Sequence, residues 1–225
     1  MRTEMDVLSF VIVGHVDHGK STLIGRLMYD TGALPPDKFE EIKKASQNQG
    51  RRTEFAYLLD HLEEERKQGI TIDTTQVFFT TDKRRYVIID APGHVEFVKN
   101  MITGASQAEA AVLIVDAEEG VKEQTKRHSY MLSMLSLKQV VVVINKMDLV
   151  DYSQDRFNEV RSDVENWLAS IDIEIDIVIP ISAIDGDNIT TNSDKMPWYS
   201  EFTFLGSLDT LENTLPPENK PLLFP

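Results

Sequence analysis

The segment that most constrains this chain is an eight-residue motif near the N-terminus: Gly14, His15, Val16, Asp17, His18, Gly19, Lys20 and Ser21. It fits the pattern Gly-x4-Gly-Lys-Ser/Thr, which folds as a loop between a strand and a helix. The flanking sequence agrees, because an apolar run at 7–13 precedes the motif and a helical pattern at 21–29 follows it. Such a match is expected by chance in about one sequence per hundred, before this context is counted. The motif therefore predicts a phosphate-binding loop within an α/β sheet.

The chemistry of this loop suits a nucleoside triphosphate. Glycines let the backbone turn tightly, so that its N–H groups point at the β-phosphate, and the helix N-terminus adds partial positive charge. Lys20 is expected to contact the β- and γ-phosphate oxygens, and the Ser21 hydroxyl to bind Mg²⁺. Thr22 completes the predicted nucleotide-binding segment. This motif alone does not separate ATP from GTP.

Base-reading candidates lie at the ends of two later strands: Asn145, Lys146 and Asp148, followed by Ser182, Ala183 and Ile184. The Asp148 carboxylate can accept hydrogen bonds from guanine N1–H and from its 2-amino group. Adenine would leave that carboxylate unpaired, at a cost of about 1 to 3 kcal/mol or more. Lys146 can lie against the ring, Asn145 can tie its loop to the phosphate loop, and the second segment offers backbone N–H groups to guanine O6. Together they predict a guanine site.

Two further segments supply residues suited to a γ-phosphate. Asp90 ends a predicted strand and can hold Mg²⁺ through water, while the Gly93 N–H can donate to a γ-oxygen. Thr71 closes a long charged segment and could complete the Mg²⁺ shell. Because the Thr71 and Gly93 contacts depend on the γ-phosphate, its loss would release both loops in an order-to-disorder switch.

Alternating strands and helices predict the fold class. Apolar runs bounded by turn signals recur at 7–13, 86–89, 110–115, 140–144 and 175–181. One helical face is formed by Phe157, Val160, Val164, Trp167, Leu168 and Ile171. Residues 74–80 and 85–90 predict one antiparallel edge hairpin, and short helices are expected at 39–45 and 55–67. The prediction is an α/β, phosphate-loop NTPase fold with a mostly parallel sheet, one antiparallel edge strand and helices on both faces.

Composition limits the partners. A net charge of −14 argues against a broad grip on DNA or RNA, and the lack of cysteine excludes disulfides and thiolate metal sites. The apolar runs are far shorter than the roughly 20 residues that cross a bilayer, and the acidic N-terminus does not look like a signal peptide. At 225 residues, one cytoplasmic domain without a membrane or DNA partner is the expectation.

The motifs GHVDHGKS, EERKQGITID, DAPGH, NKMD and SAI stand in this order along the chain. Together they resemble the G domain of the translational, elongation-factor-type GTPase superfamily. The resemblance implies binding of GTP or GDP with Mg²⁺, slow GTP hydrolysis that a partner accelerates, and a G domain over 1–212. Residues 213–225 would then be a linker into a β-barrel second domain that this fragment lacks.

The same resemblance assigns catalytic roles. His94, after the glycine of DAPGH, would orient the attacking water, and Lys20 would stabilise charge on the phosphates. Val16 and Ile70 would form an apolar gate that His94 passes. Asp17 matches a family position linked to a monovalent cation such as K⁺ beside the phosphates.

Within the superfamily, the sequence between the motifs most resembles that of the GTP-binding large subunit of sulfate adenylyltransferase. The supporting stretches are 27–32, 55–60, 123–128, 145–152 and 196–199. That resemblance implies GTP hydrolysis coupled to adenylyl sulfate synthesis on a small catalytic subunit. The sequence of residues 200–205 differs from the one usual in the family. We expect this difference to affect the packing of the last helix and not the nucleotide site.

Two alternatives remain open from the sequence. Elongation factors of the alpha type share the stretches 100–104 and 196–198, which would imply delivery of aminoacyl-tRNA to the ribosome. The third reading is a GTP-sensing module with negligible turnover. Retention of Lys20, Ser21, Thr71, Asp90 and His94 weighs against it.

Overall fold

A computed structural model describes residues 6–34, 76–90, 108–134, 137 and 139–213, without the side chain of Asp90. The helices predicted at 39–45 and 55–67 lie outside the described residues, as does the predicted linker beyond Asn213. The described part contains no helix long and apolar enough to span a membrane.

Six strands and four α-helices are described. The strands are β1 (Val7–Gly14), β2 (Gln76–Thr80), β3 (Arg85–Asp90), β4 (Ala110–Asp116), β5 (Val140–Asn145) and β6 (Ile177–Pro180). The helices are α1 (Lys20–Asp30), α2 (Glu123–Met134), α3 (Gln154–Ala169) and α4 (Phe204–Leu208). A 3-10 turn, Met147–Val150, follows β5 directly.

All six strands form one sheet in the order β2-β3-β1-β4-β5-β6. Every neighbouring pair is parallel except β2 and β3, whose pairing is antiparallel. The predicted α/β fold with a mostly parallel sheet and one antiparallel edge strand is confirmed. Strand β1 lies between β3 and β4. The strands that follow β1 in sequence are therefore added first on one side of it and then on the other. Ligands of open parallel sheets bind at such a point, outside the carboxyl ends of the strands.

Burial differs between the central and edge strands. All seven residues of β4 and all six of β5 are buried, which requires cover on both faces of the sheet. At the edge, β2 alternates, with Val77 and Phe79 buried and Phe78 60% exposed. This alternation of buried and exposed residues is typical of a strand with one face exposed to solvent. The long apolar runs therefore predicted buried central strands correctly.

Helix α3 carries most of its predicted apolar face inward. Phe157, Val160, Val164 and Leu168 are buried, and Trp167 is half-buried. Ile171 was placed on this helical face wrongly, because α3 ends at Ala169 and the chain then turns. The Ile171 and Ile173 N–H groups instead both donate to the Leu168 carbonyl.

The last predicted strand, 175–181, is shorter in the structure, where β6 spans Ile177–Pro180. Asp176 accounts for its start, because its backbone N–H donates to the Val140 carbonyl while its carboxylate accepts from the Val140 N–H at 2.7 Å. The side chain thus replaces a ladder partner at the edge of the sheet.

The segment 200–205, whose sequence differs from the one usual in the family, runs into a regular helix. Thr203 caps α4 by accepting a hydrogen bond from the Gly206 N–H at 3.0 Å. Phe204 and Leu208 are fully buried, whereas Phe202 stays 41% exposed. The unusual sequence therefore still packs its last helix onto the core.

Candidate guanine-nucleotide site

The loops that follow β1, β4, β5 and β6 meet at the carboxyl edge of the sheet. Register brings their starting points level, because Gly14 pairs with Ile114 and Asp116 pairs with Asn145. Parallel strands that end together place their following loops around one crevice. The phosphate-loop and base-reading candidates are therefore brought to the same edge.

The phosphate loop depends on two glycines. A Cβ at Gly14 would overlap the Ile114 side chain and lie 2.6 Å from the Ile114 carbonyl oxygen, so β1 and β4 approach too closely for any side chain. Gly19 has a left-handed φ of 91° and caps α1 without a side-chain hydrogen bond. Its missing Cβ lets the Asn145 amide pack directly on the loop. The first-turn N–H groups of α1 receive no cap from Gly19, which suits an anion at this helix end.

Lys20 folds back over the loop that precedes it. Its ammonium donates to the Gly14 carbonyl at 2.8 Å and to the His15 carbonyl at 3.0 Å. The positive charge is thereby held beside the phosphate loop at the start of α1. An ammonium in this place can neutralise phosphate oxygens.

Three histidines surround this corner. The rings of His15 and His18 meet edge to face with centroids 5.1 Å apart, and His15 also bonds Gln124 of α2. Burial lowers the pKa of His18, although its bond to the Ile114 carbonyl works in the opposite direction. Burial, and then the charge of Lys20, lower the pKa of His128 to about 4. His18 and His128 are therefore neutral at physiological pH and add no positive charge beside Lys20.

Asn145 connects the two halves of the site. Its Nδ2 donates to the His18 carbonyl at 2.9 Å, and its Oδ1 accepts from the Ala183 N–H at 3.0 Å. Asn145 is 2% exposed, so both bonds lie away from solvent. The structure thus contains the link to the phosphate loop that the sequence suggested, together with a second link to the loop after β6.

Asp148 is held by the segment after β6. The Ser182 hydroxyl donates to Asp148 Oδ1 at 2.6 Å. Ser182 is fully buried, Asp148 and Ile184 are half-buried, and Ala183 is 1% exposed. A carboxylate oriented by one hydroxyl retains further acceptor capacity, because each of its oxygens has two lone pairs.

The remaining predicted site residues are spread between described and undescribed parts. Val16 is half-buried and Asp17 exposed, with a left-handed φ of 67°. Ser21 and Thr22 are half-buried in the first turn of α1, and the Asp90 backbone ends β3 opposite Ile12. The side chain of Asp90 and the whole of Ile70, Thr71, Gly93 and His94 lie outside the described residues.

Comparison with known proteins identifies the family. Residues 5–217 match the family described as "Elongation factor Tu GTP binding domain". The chain belongs to this family. The resemblance to a translational GTPase G domain is thereby confirmed, and guanine-nucleotide binding follows from the family.

Curated proteins similar to this chain include elongation factors 1-alpha. Elongation factor 1-alpha of Methanospirillum hungatei is 50% identical over 228 residues, covering 100% of this chain and 54% of that protein. The same factor of Pyrococcus furiosus is 50% identical over 221 residues, covering 97% of this chain and 51% of that protein. The chain spans about half the length of the curated relatives it matches. These relatives favour the translation alternative and give no support to the sulfate adenylyltransferase reading.

Solved structures of translational GTPases share the fold. Sup35 complexed with GDP has a TM-score of 0.66 and 28% identity, covering 93% of this chain and 46% of that one. The Saccharomyces cerevisiae Ski7 GTPase-like domain, bound to GTP, has a TM-score of 0.73 and 23% identity, covering 92% of this chain and 50% of that one. The second likeness concerns the fold alone.

One site residue of this GTPase domain was missed in the sequence. Asp116 ends β4, and Lys146 Nζ lies 2.7 Å from its Oδ2 atom. Burial raises the pKa of Asp116, but the hydrogen bond from Lys146 and those from the Glu118 and Glu119 N–H groups hold it below its ordinary value. Asp116 thus fixes the Lys146 side chain. A carboxylate as the last residue of a fully buried strand was the available signal.

Proposed function

We propose that this chain is the GTP-binding and GTP-hydrolysing domain of a translation elongation factor, which delivers aminoacyl-tRNA to the ribosome. Relatives that are 50% identical along essentially the whole chain support this choice. GTP hydrolysis would act as the switch that commits the delivery. Residues 1–212 would form the G domain, and 213–225 would lead into a β-barrel second domain.

The observation that carries the proposal is the paired hydrogen bonding of Asn145. One buried amide joins the phosphate loop, through His18, to the loop after β6, through Ala183. A nucleotide that spans both loops would place its phosphates at the first loop and its base at the second. Asp148, oriented by Ser182, supplies an acceptor for the N1–H and 2-amino donors, which guanine has and adenine lacks.

The donor set fits Mg²⁺. The chain offers hydroxyl and carboxylate oxygens at Ser21, Thr71 and Asp90, and it contains no cysteine. Hard oxygen ligands suit Mg²⁺, which when bound would supply positive charge beside the phosphates. In this proposal Ser21 and Thr71 would hold the ion, Thr71 only while the γ-phosphate is present, and Asp90 would act through water.

Hydrolysis would depend on positioning. His94 would orient the attacking water by a hydrogen bond, after passing between Val16 and Ile70. Gly93 would donate its N–H to the γ-phosphate, and Asp17 would hold a monovalent cation such as K⁺ beside the phosphates. Because positioning and charge stabilisation supply most of phosphoryl-transfer catalysis, a partner that orders His94 would raise the rate.

Isothermal titration of the 225-residue chain with GDP, GTP, ADP and ATP in the presence of Mg²⁺ tests the nucleotide assignment. We expect both guanine nucleotides to bind and both adenine nucleotides to bind at least tenfold more weakly, about the value of one misplaced hydrogen bond. Equal affinity for ATP, or no binding of GTP, would contradict the proposal.

Single-turnover hydrolysis tests the catalytic assignment. We expect His94→Ala to slow GTP hydrolysis by about a hundredfold or more while GTP affinity stays unchanged. Equal rates would remove His94 from the mechanism. Ribosomes loaded with messenger RNA should stimulate the protein that continues into the second domain, whereas stimulation by a sulfate adenylyltransferase small subunit would return the sulfate-activation reading.

A further inference from the structure

A cluster of polar side chains lies behind the guanine-reading loops. It consists of Tyr152, which follows the 3-10 turn after β5, and Asp185, Asp187 and Lys195 from the region after β6. We call these four residues the base-loop clamp. None of them belongs to the nucleotide motifs singled out in the sequence.

The clamp is closely connected. The Tyr152 hydroxyl lies 2.8 Å from Asp185 Oδ2 and 3.0 Å from Asp187 Oδ2. The Lys195 ammonium donates to the same hydroxyl at 2.8 Å and to the two carboxylates at 2.9 and 3.0 Å. It also lies 4.7 Å from the centroid of the Tyr152 ring. One phenol and one ammonium thus hold two neighbouring carboxylates that would otherwise repel each other.

A short path joins the clamp to Asp148. Asp187 exchanges backbone hydrogen bonds with Ser182, at 3.2 and 3.1 Å. Ser182 in turn donates its hydroxyl to Asp148 at 2.6 Å. Only one backbone bridge and one hydroxyl therefore separate the clamp from the carboxylate proposed to read guanine.

The backbone at the other end of the path is sterically unfavourable. Asp151 and Tyr152 take left-handed φ values of 50° and 55°, although neither is glycine. Such conformations persist where surrounding contacts hold them, and they are common at ligand sites. Trp198 supplies one such contact by donating from Nε1 to the Tyr152 carbonyl at 3.1 Å. The two residues that directly follow the Asp148 turn are thus in left-handed conformations, and a residue from the region after β6 helps to hold them there.

A side chain of the phosphate-loop helix α1 also approaches the loop after β6. A Cβ at Gly186, between the two clamp carboxylates, would overlap the Arg26 guanidinium and lie 2.8 Å from its Nε atom. Gly186 has a left-handed φ of 86°. Arg26 itself is fixed by Asp30, with Nε and Oδ1 2.8 Å apart. The Arg26 side chain of α1 therefore lies against Gly186, next to the two clamp carboxylates in the chain.

We infer that the base-loop clamp is a positioning device that holds the loop after β6 and the Asp148 turn together, and so sets guanine selectivity and nucleotide residence time. This inference rests on the proposed function. Loosening the clamp would let Asp148 move relative to the base while the phosphate loop stays intact. Guanine uses Asp148 through both N1–H and its 2-amino group, whereas hypoxanthine lacks the amino group. Loosening should therefore weaken GDP more than IDP.

The test uses Tyr152→Phe and Lys195→Met in the 225-residue chain with ribose-labelled fluorescent GDP and IDP. Both variants should release GDP about threefold to tenfold faster than wild type, and the preference for GDP over IDP should fall. The double variant should fall short of the product of the single effects, because the two residues act as one unit. If Tyr152→Phe does not fold, Lys195→Met decides, because its side chain is 47% exposed.

The chain contains a matched control. Tyr86 and Lys83 also bond a shared carboxylate, that of Asp209, with Lys83 Nζ 2.7 Å from Oδ2. This group lies at the β2–β3 hairpin, at the opposite end of the sheet from β6. Tyr86→Phe and Lys83→Met should lower thermal stability but leave GDP release and the preference for GDP over IDP unchanged.

Two results would count against the inference. Normal GDP binding by wild type, combined with clamp variants that match it in release rate and in GDP preference, would overturn the clamp alone. Failure of wild type to bind GDP would overturn the proposed function, and the clamp with it.

Discussion

The Asn145 side chain donates from Nδ2 to the His18 carbonyl at 2.9 Å, across 127 residues of chain. This bond is buried, and the same amide accepts from the Ala183 N–H. Because both partners belong to segments that should surround the nucleotide, the amide acts as a strut between the phosphate and base halves of the site.

Replacing Asn145 by alanine should therefore weaken GDP binding strongly. The change leaves a buried carbonyl and a buried N–H without their partners, at about 1 to 3 kcal/mol each. We expect GDP affinity to fall by about tenfold to a hundredfold, measured by calorimetry. Asn166→Ala is the control, because Asn166 is exposed on α3 and should leave affinity unchanged. Equal affinities for both variants would show that the strut is not needed.

Substitution of Asp148 by asparagine should change the base that is preferred. An amide can present an N–H where the carboxylate accepts, so it opposes the guanine 2-amino group and matches the carbonyl that xanthine carries there. We expect GDP to weaken by about tenfold to a hundredfold and XDP to gain affinity. Asp151→Asn, three residues further on, should alter neither. Parallel loss of GDP and XDP would argue against Asp148 as the reader.

The described fold could largely be predicted from local pattern, and the site only in part. Apolar runs predicted the strands because burial on both faces leaves a continuous hydrophobic signal, as in β4. Ile171 was misplaced because a helical period does not show where the helix ends. The Lys146–Asp116 pair and the Tyr152 contacts join segments 30 or more residues apart, and no local pattern predicts such partners. The motif residues were accessible because their chemistry constrains their spacing.

Gly14→Ala should disrupt the phosphate loop itself. The added Cβ would overlap Ile114 of the neighbouring strand, and the backbone oxygen at 2.6 Å cannot move without disturbing the sheet. We expect a loss of about 1 to 3 kcal/mol of stability and at least tenfold weaker GDP binding. Gly32→Ala is the control for backbone strain, because its φ is 68° but no atom lies within 4 Å of the new Cβ. It should lower stability by about 1 kcal/mol without affecting GDP.

Acid should destabilise the fold through His128, whose pKa burial and the charge of Lys20 lower from 6.5 to about 4. As pH falls below 6.5, His128 becomes protonated in the unfolded chain, whereas in the folded chain it becomes protonated only near pH 4. Stability is therefore full above the unfolded pKa and declines on the way down, by at most about 3 kcal/mol. Asp116, whose pKa is lowered from 3.8, stabilises the fold above that pH and loses its stabilisation only as pH falls below it, outside the range of His128. We expect His128→Leu to flatten the pH dependence of urea unfolding between about pH 7 and pH 5. Arg127→Leu, at an exposed neighbouring position on α2, should keep the wild-type slope. An unchanged slope in His128→Leu would mean that His128 does not resist protonation in the folded chain.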